Sequence, residues 1–291
     1  MFKSLSLVAA SALALAVSSV QAQSAKFVLF GDHNADGQAQ ADADKFVHPV
    51  TSPYFHEDSF VTSDVRAWYV YHNFPGKVLG GEAHVAALQV RLAITQDFQL
   101  VAYKDGYTWL NADAIDQDGW NDVGAGLKWS FLHDYKSNFH AAIGAGYEFP
   151  FGESKVLQNN EEFRFWASMN KGFGPLHLGA TGNVFFAPDS SQGDYLSWHL
   201  HADYFLCRFI SPVVEVNGYH YFDEADGAGP ASGIDVSNLG GGEDVITLGL
   251  GAEVRPFQEI DLSFRCAYEL PLTDETDLYG WRLTFSAVYA F

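Results

Sequence analysis

Beyond its first two dozen residues the chain lacks any long hydrophobic run, although 48% of it is hydrophobic. No later stretch approaches the roughly 20 continuous apolar residues that a spanning helix requires. That excludes a helical membrane protein and leaves the apolar residues dispersed in alternation. Cysteine is scarce. Cys207 and Cys266 are the two in the chain, too few for a disulfide framework. Cys207 falls at an expected turn and Cys266 in mid-strand three strands later, so at about 4.8 Å per strand they are too far apart to bridge. Free thiols are expected. Basic residues are also few, 16 against 36 acids for a net charge of −20. Nucleic acid is therefore excluded as a partner.

The amino terminus carries a different signal. Lys3 supplies a positive start, Leu5 to Val17 an apolar core, and Val20-Gln21-Ala22 a small-residue cleavage site. Residues 1–22 thus read as a secretory signal peptide.

Residues 23–62 read as an irregular acidic segment. Asp32, Asn34, Asp36 and Gly37 match the first half of a calcium loop, but Ala43 stands where the twelfth-position carboxylate belongs. A solvated acidic linker is the other reading. His48-Pro49-Val50-Thr51-Ser52-Pro53-Tyr54-Phe55-His56 has its prolines too close together for a strand. This stretch fits either a plug in a lumen or a periplasmic segment.

From residue 63 to 291 period-two alternation takes over. In the last segment Trp281, Leu283, Phe285, Ala287, Tyr289 and Phe291 share one face, with Arg282, Thr284 and Ser286 opposite. A long alternating strand left unpaired invites aggregation, and a closed barrel removes the edge. Similar alternation recurs from Asp122 to Leu132 and from Phe139 to Phe149. About twelve such segments of about ten residues fit an all-β, closed antiparallel transmembrane β-barrel. Short turns such as Gly172-Phe173-Gly174-Pro175 alternate with long links at 106–121, 150–161, 187–194, 223–244 and 271–280. With Phe291 at the periplasmic rim, counting back places these long links outside, as barrels have them. They are rich in acid and hold one basic residue, Lys155. The acids either keep the loops solvated or bridge divalent cations to neighbouring lipopolysaccharide.

The alternation assigns faces. The outward face from Asp122 onward is almost wholly aliphatic or aromatic and carries no serine. A lipid hydrolase would need its nucleophile there. No enzyme activity and no cofactor are expected. Inward lie Lys128, Glu148, Arg164, Glu215, Glu253, Arg255, Asp261, Arg265, Glu269 and Arg282. They are candidates either for a wall-bracing salt-bridge network or for a charged constriction that selects permeants. Glu269 is expected to face Arg282, and Asp261 to face Arg255 or a neighbour. His199 and His201 share a strand face, and His177 can join them from the adjacent strand, a spacing compatible with a metal. A hydrated lumen equally accommodates uncomplexed histidines. Inward glycines such as Gly124, Gly144 and Gly249 let strands bend and leave room in the lumen.

Asn121-Asp122-Val123-Gly124-Ala125-Gly126-Leu127-Lys128-Trp129 and the strand closing on Phe149-Pro150-Phe151-Gly152 resemble the outer-membrane family named for the MetA pathway of phenol degradation. The family shows a D-x-x-x-G-x-K-like strand, a strand closing on P-x-G and a final strand ending in Phe. The resemblance runs from about Gly81 to Phe291. It groups the chain with fatty-acid-type outer-membrane transporters and implies passage of hydrophobic or aromatic compounds, with no catalytic residue. The final strand also resembles the carboxyl-terminal strand of Gram-negative outer-membrane barrels, in which an aromatic end, here Tyr289 and Phe291, belongs to the signal read by the assembly machinery.

The expectation is thus a Gram-negative outer-membrane channel or passive transporter for small hydrophobic or aromatic compounds. Its partners would be lipid, lipopolysaccharide, the assembly machinery and divalent cations at the acidic loops. A non-conducting structural or surface-binding barrel is the alternative.

Overall fold

The computed structural model describes residues 27–31, 41–76, 80–113, 115–188, 193–222, 244–257, 259–273 and 280–291. The leader and the half-formed calcium loop at Asp32–Gly37 lie outside the described residues, as does most of the acidic link at 223–244.

Alternating sequence has produced alternating burial. In β14 (Trp281–Ala290) Arg282, Thr284, Ser286 and Val288 turn inward while Phe285 and Tyr289 are exposed. β14 pairs antiparallel along its whole length with β1 (Asp64–Asn73), from Asp64 opposite Ala290 to Asn73 opposite Trp281. β1 pairs on its other side with β2 (Glu82–Ala93). From there the wall runs through β3 (Phe98–Lys104), β6 (Val123–Asp134), β7 (Phe139–Phe149), β8 (Glu162–Phe173) and β9 (Leu176–Phe186). It continues through β10 (Tyr195–Tyr204), β11 (Ile210–Tyr221), β12 (Val245–Val254) and β13 (Leu262–Pro271) back to β14. The result is a closed antiparallel barrel of twelve strands, so the terminal strand has no free edge. Among the described residues no helix is long and apolar enough to cross a membrane.

One expected link is more ordered than its sequence suggests. Residues 106–121 contain β4 (Tyr107–Ala112) and β5 (Ile115–Trp120), which form a hairpin. β4 continues the line of β3 and pairs with the outer half of β2. Between them the ladder breaks, and the Leu88 N–H donates to both carboxylate oxygens of Asp105 at 3.1 and 3.2 Å. A groove of about 520 Å³ opens there, lined by residues including Leu88, Asp105 and Trp120. The sequence reads as a loop here because Asp116 and Asp118 are exposed on the hairpin and give it the look of a solvated acidic link.

Both cysteines are exposed and free. The wall's outward face is greasy, with Leu127, Trp129, Phe165, Leu200, Leu250 and Phe285 each about half exposed. That is the pattern of a wall meant for lipid.

Candidate functional site

The room expected in the lumen is occupied. Inward glycines do leave space, but aromatic rings lie in it. Trp166 packs against the Cα of Gly144, Tyr103 lies across Gly124 and Gly146, and Thr51 sits on Gly249. Thr51 belongs to the amino-terminal segment, which enters the barrel at the end where β1 begins and β14 finishes, climbs, turns and descends into β1. Every residue from Val50 to Asp64 is buried.

At the rim Phe27 donates its N–H to the Phe291 carbonyl at 3.1 Å, and Phe291 to the Ser63 carbonyl at 2.9 Å. Asp44 lies under the β6–β7 turn, its carbonyl accepting from Asn138. The ascending leg, Phe46 to Ser52, is held through its backbone. Val47 N–H donates to Asp203 at 3.0 Å, and Val50 and Thr51 N–H donate to the two oxygens of Glu215 at 2.9 and 2.6 Å. Ser52 makes the turn at φ +52°, its carbonyl accepting from Phe55 and His56. At the apex the Tyr54 hydroxyl donates to the Asp105 carbonyl at 2.7 Å.

The descending leg is held mainly through side chains. Phe55 packs edge-on against Phe185, Tyr195 and Tyr219. Arg164 donates to the Tyr54 and Phe55 carbonyls at 2.7 Å each and stacks over Tyr103 and Trp166. Glu57 receives Arg91 at 2.6 Å with Lys128 at 3.9 Å. Asp58 meets Lys128 at 3.4 Å, Arg66 at 4.0 Å and the ring of His48. Ser59 N–H and hydroxyl both donate to Asn170.

Glu57 and His56 belong to this inserted segment and not to the spanning strands. Burial works to raise the Glu57 carboxyl, but Arg91 and Lys128 outweigh it and hold the group below the ordinary carboxylate range. Burial wins at His56, pushing its imidazole down to about 4 despite Glu215 at 3.9 Å.

Most of the inward residues expected from the sequence sit in this lumen: Lys128, Glu148, Arg164, Glu215, Glu253, Arg265, Glu269 and Arg282 are all buried. Glu269 takes Arg282 at 2.6 Å, as the final hairpin implied. Two differ. Asp261 is exposed at the turn between β12 and β13, since β13 begins one residue later at Leu262. Arg255 is partly exposed and pairs with Glu253, which also holds Arg265 at 2.6 Å, in place of Asp261.

The histidines do not converge on a metal position. His201 has both ring nitrogens on carboxylates, Glu215 at 2.6 Å and Asp203 at 3.1 Å. His177 faces Asp203 at 2.7 Å and the Ala43 carbonyl, and His199 turns to Asn217 and Ser197. Among the described residues no group of three or more His, Cys, Asp or Glu side chains could hold a metal ion. The ring nitrogens instead orient the two carboxylates that grip the ascending leg.

Sequence reasoning missed Arg66, Arg91 and Lys104, the last of which pairs with Glu148 across the lumen. In β1 the inward face mixes Asp64, Arg66 and His72 with Trp68 and Val70, so the alternation of polarity is blurred there. Tyr289 and Phe291 stack at the rim where β14 finishes, and Phe291 also meets Phe27 there.

No family model and no curated protein sequence matches the chain. Solved structures do. An outer membrane channel from Pseudomonas putida F1 superposes with a TM-score of 0.59 at 13% identity, over 84% of this chain and 100% of that one. The NanC porin gives a TM-score of 0.51 at 9% identity, over 79% and 98%. At such identities the likeness is one of fold: this chain is an outer-membrane-type β-barrel.

Proposed function

We propose that the protein is a passive outer-membrane channel whose lumen is closed, in the conformation described, by its own residues 46–63. The observation that carries this reading is the inserted segment itself. It fills a polar, charged lumen inside a lipid-facing wall, and it is held there by hydrogen bonds and ion pairs among groups that water could serve equally well. A purely structural barrel would gain more from an apolar core, because buried ion pairs are weak stabilisers. The resemblance to the phenol-degradation family and the aromatic cluster around Phe55, Phe185, Tyr195 and Tyr219 support small hydrophobic or aromatic compounds as permeants. The lipid-facing apolar wall and the leader-like composition of residues 1–22 support assembly in the outer membrane of a Gram-negative cell. Lipopolysaccharide and divalent cations would then meet the acidic outer links. The transport reading involves no covalent step.

The test compares the full chain with a variant lacking residues 41–62 in planar bilayers and in liposomes offered phenyl glucoside or gluconate. The expected result is a low current from the full chain, a several-fold rise on deletion, and faster entry of the aromatic glycoside. No current and no entry with either protein would refute the channel and favour a sealed structural barrel.

A further inference from the structure

The inserted segment occupies the lumen in a particular chemical order. An aromatic residue, Phe55, enters a ring-lined pocket formed by Phe185, Tyr195 and Tyr219. Two residues on, the Glu57 carboxylate meets Arg91 and Lys128. At about 3.3–3.6 Å per residue their Cα atoms are at most roughly 7 Å apart, with the ring turned to β9–β11 and the carboxylate to β2 and β6. Arg164 spans the interval, its guanidinium 4.7 Å from the Trp166 ring and 5.8 Å from that of Phe185.

The wall cations beneath Glu57 and Asp58 depend on them. The hydrogen bonds described for Lys128 go to the Asp58 carbonyl at 3.1 Å and the Asp58 carboxylate at 3.4 Å, and its second carboxylate neighbour is Glu57. Beside Glu57, Arg91 has the neutral amide of Gln89 at 3.2 Å. The wall's own carboxylates are engaged elsewhere: Glu148 with Lys104, Glu253 with Arg265 and Arg255, Glu269 with Arg282. Withdrawal of the segment would strip Lys128 of the two carboxylates described beside it, leave Arg91 with its cross-strand neighbour Asp64, which Arg66 already holds at 2.7 Å, and empty the aromatic pocket. A buried charge that loses its partner is costly, so the open lumen should recruit another anion.

We infer that Phe55 and Glu57 stand in for the permeant, and that the lumen holds a binding site for small aryl carboxylates, with the ring among Phe185, Tyr195 and Tyr219 and the carboxylate on Arg91 and Lys128. This rests on the channel reading and narrows its substrate class from hydrophobic compounds to amphipathic anions. Arg164 serves both halves, as a cation for the carboxylate and a flat stacking partner for the ring.

The probe is 3-phenylpropionate, which carries one aromatic ring and one carboxylate, with 3-phenylpropanamide as its neutral isostere. Calorimetric titration of the full-length protein, folded in detergent, would be run on the wild type and on the E57Q/D58N variant, which keeps side-chain shape while removing both charges. The variant should bind the acid at least tenfold more tightly than the wild type does and at least tenfold more tightly than it binds the amide. Adding Lys128→Gln should erase the preference for the acid. E57Q alone, checked for heat-modifiable gel mobility like the others, should show the same order if the double variant does not fold. Equal affinity for acid and amide in every folded variant would overturn the inference while leaving the channel reading to its conductance test. Tight acid binding by a protein that never conducts would keep the site and sink the channel.

Discussion

The two legs of the inserted segment lie in one lumen yet meet wall charges of opposite sign. The ascending leg lends its backbone N–H groups to carboxylates of the wall, Asp203 and Glu215. The descending leg lends its carboxylates to cations of the wall, Arg91, Lys128 and Arg66. Backbone donors are present whatever the side chain, so the first grip depends on wall residues and tolerates change in the segment. The second depends on Glu57 and Asp58 themselves. The lumen is correspondingly divided, with cations on β1, β2, β6 and β8 and an acid–histidine face on β10 and β11.

The largest effect should come from the descending leg. Glu57→Ala leaves Arg91 and Lys128 facing each other without the carboxylate, and by the usual cost of breaking a buried pair it should lower stability by about 3–5 kcal/mol. Urea unfolding in lipid vesicles measures it.

Acid should act next, through His56. Its folded-state pKa of about 4 lies below the unfolded value of 6.5, so the unfolded chain takes up the proton first. Stability is therefore full above pH 6.5 and is lost as pH falls toward 4, by on the order of 3 kcal/mol for this group. Glu215, His199, His201, Glu57 and Asp58 surround the ring. Replacing His56 with Gln should flatten the pH profile of unfolding between pH 6.5 and 4.

On the ascending leg Glu215→Gln keeps an acceptor but loses its charge, and about 2 kcal/mol should be lost, in keeping with a charge-assisted hydrogen bond. Smallest is Thr51→Val. It removes the hydroxyl's bond to Glu215 but leaves the Thr51 N–H in place, and should cost about 1 kcal/mol. If Thr51→Val cost as much as Glu57→Ala, the contrast between backbone-held and side-chain-held legs would fail.

The barrel was legible because period-two burial writes itself directly into sequence: from Val123 onward each inward polar residue is flanked by lipid-facing apolar ones. β1 was harder, since Trp68 and Val70 face inward while Tyr69 faces lipid, and alternation of polarity is blurred on that strand. The inserted segment was legible as irregular, and a plug in the lumen was one of the two readings its sequence left open. Its polar residues look solvated, and what buries them is a set of partners more than a hundred residues away, such as Asn170 for Ser59 and Glu215 for Thr51. The histidines were legible as a cluster, but their partners Asp203, Glu215 and Asn217 decided their role, and those contacts are set by register across strands. Glycine was legible as space, whereas the rings that fill it come from neighbouring strands.

The measurement that bears most directly on the central claim is a reversible tether between segment and wall. In a background with Cys207 and Cys266 changed to Ser, the pair Ser59→Cys and Asn170→Cys replaces side chains whose polar atoms are 2.7 Å apart. Single-channel current would be recorded in planar bilayers under oxidising and then reducing conditions. Closure by a movable segment predicts that oxidation abolishes opening events and that reduction restores them in the same membrane. Openings of unchanged size and frequency in the cross-linked protein would contradict it.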